Sequence, residues 1–215
     1  MKLIVLLILL PLALCKENFE SAALPKANTK GLQEDLQEFA DLIPQKEIIG
    51  VVLTYIVTDK EVQNIFNYVQ TQEFKNLYGA AIRTDAVREL VELLESYGLQ
   101  VRQAVNQISS LLMLPQLPAR IGLPKASPGG VNGLVDAVLR LLPREELIEL
   151  YLRKLIESPE IRQLKDNLSS QQTINAAIKV ATNPDVRRAY AELHKRGINL
   201  AEIAKQVVVY FLDLN

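Results

Sequence analysis

The chain has 215 residues, 49% of them hydrophobic and 23% charged, with a formal net charge of -1. That balance is globular and excludes a disordered or collagen-like protein. A near-neutral chain has no broad basic surface for nucleic acid, and one Cys, one His and no Trp exclude a disulfide scaffold and a Cys/His zinc site.

The first element is an export signal. Met1-Lys2 gives a short positive start, Leu3 to Leu14 is almost wholly apolar, and Ala13 and Cys15 stand three and one residues before the expected cut. The run is too short for a membrane-spanning helix, which needs about 20 apolar residues. No later stretch of that length lacks charges, so no transmembrane segment is expected after signal cleavage. Residues 1–15 are read as a signal peptide and the mature chain as extracellular. It then has no cysteine, so its stability rests on buried apolar surface.

The mature chain reads as an internal duplication. A shift of 99 residues aligns Leu36–Met113 with the second half without a gap, giving thirteen identities in 78 positions. Pro44, Glu61 and Gly98 fall on Pro143, Glu160 and Gly197, and the apolar residues keep helical phase throughout. The division is a mature N-terminal segment (16–30), repeat 1 (31–112), a Pro/Gly-rich linker (113–130) and repeat 2 (131–215), the repeats forming one folded unit.

Each repeat predicts roughly five helices, with a further short one near the mature N-terminus, so the fold class is all-α. Pro44 and Pro143 suit first helical turns. Thr84-Asp85, Ser158-Pro159-Glu160 and Asn183-Pro184-Asp185 read as caps followed by acids near positive helix ends. Gly98 and Gly197 read as left-handed helix terminators. The stretch Val51–Val57 is apolar nearly all round and predicts a central helix. Val207-Val208-Val209 is β-branched, but its flanks are helical. The halves differ in charge: residues 31–112 carry net -6 and residues 131–215 net +1. This is attraction between the halves, a polarised surface or, more simply, ordinary solvated helix faces.

Residues for catalysis are scarce. His194, the single candidate base, sits at a helix end, where the helix dipole explains it. No G-x-S-x-G elbow, H-E-x-x-H or phosphate-binding glycine loop occurs. The acid pairs Glu34-Asp35 and Glu145-Glu146 are explained by helix starts. The reading is therefore a non-enzyme with no cofactor and no metal. The seven tyrosines read as core or boundary residues. Asn167-Leu168-Ser169 is a possible glycosylation sequon at Asn167, permitted if the signal is eukaryotic.

Leu42-Ile43-Pro44, Asp59-Lys60-Glu61-Val62-Gln63, Glu73-Phe74-Lys75 and Glu95-Ser96-Tyr97-Gly98-Leu99 resemble the insect allergen repeat family, whose members include midgut allergens, microvillar proteins and nitrile-specifier proteins. The pattern covers both repeats and departs at Ser169 to Thr173, where a segment like Glu-Phe-Lys is expected. The resemblance implies a helical capsule of two repeats around an apolar cavity, secreted from midgut cells and holding fatty acids or phospholipids. Its residues of inward phase are then the cavity lining: Ile49, Leu53, Ile56, Ile65, Val69, Val87, Leu94, Ile108 and Leu112, with Ile148, Leu152, Leu155, Leu164, Leu168, Val186, Leu193, Val207 and Phe211. The alternatives are a structural or interaction protein of the gut lining, microvillar or peritrophic, and a detoxification factor related to nitrile-specifier proteins.

Overall fold

The computed structural model describes residues 29–112 and 129–212. The expected signal peptide, nearly all of the mature N-terminal segment and most of the linker lie outside the described residues. Twelve helices run through the described residues, with no strand among them. They are α1 Thr29–Leu42, α2 Gln45–Thr58, α3 Lys60–Val69, α4 Gln72–Ile82, α5 Asp85–Ser96 and α6 Val101–Leu112. The second half holds α7 Gly130–Leu139, α8 Arg144–Glu157, α9 Pro159–Leu168, α10 Gln171–Thr182, α11 Pro184–His194 and α12 Leu200–Leu212. Each of α8 to α12 starts 99 residues after its counterpart among α2 to α6. Six helices thus occupy each half, where periodicity suggests about five. α1 is a full 14-residue helix. Its counterpart α7 starts at glycines that read as linker.

Helix starts follow local chemistry. The side chains of Thr71, Thr84, Ser158 and Ser170 each accept one backbone N–H of the turn they open, and Asn183 accepts two. Pro44 and Pro143 sit one position earlier than expected, as the capping residues of α2 and α8, and make no side-chain cap bond. Gly98 and Gly197 hold φ of 91° and 104°, and the following N–H groups of Leu99 and Ile198 reach back to the carbonyls of Leu94 and Leu193. A residue with a β-carbon adopts that backbone only under strain, so glycine ends α5 and α11.

The halves exchange their first helices. α1 packs on α8 and α9, and α7 packs on α2 and α3; α4 lies on α11 and α5 on α10. Each contact has a partner under the 99-residue shift. One core joins Leu32, Leu36 and Phe39 of α1 to Leu99 and to Leu150, Ile161, Leu164 and Leu168. A second, smaller one joins Ile48, Leu139 and Leu142. A hydroxyl contact also crosses the halves: Tyr97 Oη lies 3.1 Å from Thr173 Oγ1, which donates to the Asn167 carbonyl at 2.7 Å. A lone neutral hydrogen bond contributes about 1 kcal/mol, so Tyr97→Phe is expected to lower stability by about that much in chemical denaturation.

The charge difference between halves is used at their boundary. Arg153 pairs with Glu38, Lys154 with Asp35 and Glu38, and Lys179 with Glu89. In every ion pair across the halves among the described residues, the first half supplies the acid and the second the base. The net charges of the two sequences are therefore complementary as well as solvated.

Candidate functional site

The apolar faces are of two kinds, closed and open. Ile65, Leu164 and Leu168 are buried. Leu164 and Leu168 are closed off by α1, inside the larger core. Leu94 and Leu155 pack at the edge of that core, and Val207 and Phe211 at the edge of the smaller one. Leu53, Ile56, Val69, Val87, Ile148, Val186 and Leu193 are half-buried. Ile49 and Leu152 are 48% and 51% exposed. The side chains of Ile108 and Leu112 lie outside the described residues.

The open faces repeat. On α2, Ile49, Leu53, Ile56 and Val57 share one side; on α8, Ile148, Leu152, Leu155 and Ile156 share the matching side. Val57 and Ile156, 53% and 79% exposed, were not in the sequence-derived lining. Their matching positions 99 residues apart are the signal that places them with it. The helix of Val51–Val57, expected to be central, is thus buried along the side of Ile48 and Tyr55 and exposed at Ile49 and Val57.

The same openness runs through α5 and α11. Val87, Leu90, Val91 and Leu94 stand at helical spacing on one face of α5, yet no residue of that helix is buried. On α11, Val186, Tyr190 and Leu193 form the equivalent stripe, again with no buried residue. An amphipathic helix in a close-packed core buries its stripe, because interiors pack at the density of organic crystals. Among the described residues no large side chain is completely buried. The sequence marks these faces as inward; the structure leaves the stripes of α5 and α11 half-buried and exposes Ile49, Val57, Leu152 and Ile156 on α2 and α8.

The polar groups nearby are structural. Asp59 Oδ1 accepts from the N–H groups of Glu61 and Val62, opening α3, and Oδ2 accepts from those of Gly129 and Gly130, opening α7. Partial desolvation opposes ionisation of Asp59, but these four bonds together hold its carboxyl below the usual carboxylate range. Glu61 accepts from the Val131 N–H at 3.1 Å. Gly130 and Gly197 flank that carboxylate so closely that a β-carbon on either would lie 2.5 Å from it. Arg196 lies 3.4 Å above the Tyr68 ring, and the Tyr68 hydroxyl donates to Glu73. Tyr210 donates to the Leu142 carbonyl at 2.7 Å and is lifted above its ordinary pKa by burial.

His194 is exposed in the last turn of α11, its ring 5.7 Å from that of Tyr190. Glu145 and Glu146 occupy the first turn of α8, as helix starts favour. Asp35 does not: it lies inside α1 and holds Lys154 at 2.6 Å. Asn167 is half-buried in the last turn of α9, and its carbonyl is held by Thr173. Among the described residues no cluster of His, Cys, Asp or Glu is placed to hold a metal, and no helix is long and apolar enough to cross a membrane.

Comparison with known proteins assigns the arrangement to a family. Protein G12 of Anopheles gambiae is 26% identical over 186 residues, covering 85% of this chain and 88% of that protein. Residues 31–204 match the family described as insect allergen related repeat, nitrile-specifier detoxification. The match spans both halves and stops a few residues into the last helix, so the chain belongs to the insect allergen related repeat family.

Proposed function

We propose that the chain is a secreted, non-enzymatic protein of the insect midgut that holds fatty acids or phospholipids in an apolar cavity between its helices. The observation that carries the reading is the apolar stripe of α5, Val87, Leu90, Val91 and Leu94, which stays half-buried and is repeated on α11. Faces of this kind lose free energy while wet and gain it against acyl chains. Burying about 14 methylenes at roughly 0.8 kcal/mol each contributes about 11 kcal/mol. Association and ordering remove several kcal/mol of that. Micromolar or tighter binding needs no specific hydrogen bond, so selectivity among acyl chains is expected to be loose. The export signal and the family resemblance support secretion and a midgut setting.

Native mass spectrometry of the mature protein, with solvent extraction and lipid identification, tests the reading. Acyl lipid that leaves on denaturation is the expected result. A protein that stays free of lipid after incubation with fatty acids overturns it. Leu53→Glu with Leu152→Glu sets one carboxylate in each open face of α2 and α8. The pair is expected to abolish lipid retention or folding. Unchanged retention and melting would remove these faces from the site.

The family description also names nitrile-specifier detoxification. A detoxification role predicts a changed product profile when the purified protein joins a glucosinolate hydrolysis assay. An unchanged profile sets that role aside.

A further inference from the structure

We propose that the exposed face of α11 is a docking surface for anionic lipid membranes. The inference rests on the lipid-holding reading, since a carrier of acyl lipid has to meet the bilayers with which it exchanges cargo. Arg187, Arg188, Ala191, His194 and Lys195 are all exposed and stand three or four residues apart, so they form one stripe. Opposite them lies the apolar stripe of Val186, Tyr190 and Leu193. With that stripe turned to the proposed cavity, contact with a bilayer falls to the basic face, whose cations suit anionic headgroups.

The counterpart helix sharpens the point. On α5 the matching positions hold Arg88, Glu89, Glu92, Glu95 and Ser96. The same place in the duplicated fold is thus acidic in one half and basic in the other. The acids of α5 are answered within the chain: Asp85 by Arg88 at 2.7 Å, Glu89 by Lys179 at 2.9 Å, and Glu92 and Glu95 by Arg102 at 3.7 and 3.4 Å. The cations of α11 outnumber their partners. Asp185 lies 3.6 Å from Arg188, and Glu192 takes Lys195 at 2.6 Å and Arg196 at 2.8 Å. Arg187 has no acidic partner among the described residues. With three cations set against its four acids, α5 keeps little charge with which to receive the α11 of a second copy. The excess positive charge of α11 is complementary to a surface of lipid phosphates, where each added cation strengthens attachment.

The experiment is flotation of the full mature chain with vesicles of phosphatidylcholine alone and of phosphatidylcholine mixed with phosphatidylglycerol. Binding is expected to the mixed vesicles only and to weaken as salt rises. Arg187→Glu, Arg188→Glu and Lys195→Glu together are expected to weaken it on the order of a hundredfold. Lys46→Glu, exposed on α2 away from the stripe, is expected to leave it nearly unchanged. Helical content by circular dichroism and uptake of a fluorescent fatty acid are followed in parallel. A triple variant that is folded, takes up fatty acid and no longer floats supports docking through α11. A wild-type chain that takes up fatty acid but ignores the mixed vesicles overturns docking and leaves the lipid reading intact. One that floats through α11 without taking up fatty acid overturns the lipid reading alone. Equal flotation of wild type and triple variant overturns the role of α11. So does a wild-type oligomer that the triple variant dissolves into monomers in sedimentation, because the stripe is then an interface between copies.

Discussion

Asp35→Asn with Glu38→Gln is expected to destabilise the protein by about 3–5 kcal/mol, the usual cost of stranding one member of a buried ion pair. For a chain of this size that is a fall in melting temperature of roughly 10 °C. Lys154 is 8% exposed and donates to both acids, to Asp35 at 2.6 Å. Burial alone would push its ammonium down, but the hydrogen bonds and charges of the two acids together hold it above the ordinary lysine value. A lysine whose folded pKa is raised contributes stability that is fully present below the unfolded value, about 10.4, and lost as pH rises through the folded one. At neutral pH the contribution is intact, so the double variant loses it in full. Adding Lys154→Met to that variant removes the stranded charge and is expected to restore much of the loss, as when buried ion clusters are replaced by apolar side chains. The position tolerates such a change in the duplicated fold: Tyr55 stands at the matching place in α2, also buried. Thermal melts of the three proteins decide the point. A double variant melting within a degree of the wild type would show the cluster to be ornamental.

What the sequence discloses follows the range of the interaction that fixes each feature. Thr84, Ser158 and Asn183 are legible as caps because the groups they satisfy lie within three residues. Gly98 and Gly197 are legible because a helix end needs a left-handed residue at that place. α7 is not legible as a helix start. Gly129 and Gly130 look like linker, and the carboxylate that satisfies their N–H groups is Asp59, 71 residues before Gly130. Asp35 is misread for the same reason, since its partner Lys154 lies 119 residues away. The candidate site divides along the same line. Periodicity gives the inward phase of Leu53, Val87 and Leu164 alike. It does not tell that α1 closes over Leu164 while the stripe of α5 stays half-buried. Phase belongs to one helix, whereas closure depends on where another helix lands. Leu164 is therefore a packing residue, and the open faces of α2, α5, α8 and α11 are the better candidates for lipid contact.

Asp59→Ala is the second large effect, expected at about 2–3 kcal/mol, because a single cap contributes roughly 1 kcal/mol and up to about 2, and this carboxylate caps two helices. Its oxygens divide the work: Oδ1 holds Glu61 and Val62 at 3.0 and 3.1 Å, and Oδ2 holds Gly130 at 3.0 Å and Gly129 at 3.4 Å. One side chain thereby ties the start of α3 in the first half to the start of α7 in the second. Asp59→Ser, which copies Ser158 at the matching place in α9, can cap α3 alone. It is expected to recover about half of the loss, since its single oxygen does not reach both helices. The carboxyl of Asp59 lies below the usual range, and a group so depressed contributes stability that is present above its unfolded value of about 3.9. That contribution is lost as pH falls through the folded value. Wild type and Asp59→Ala should therefore differ most in stability at neutral pH and converge in acid, below the carboxylate range. Urea denaturation of both proteins across that range measures the difference directly. A gap between them that stays constant into acid would mean that the alanine variant loses packing, and that the charge on Asp59 does not hold α7 to the first half.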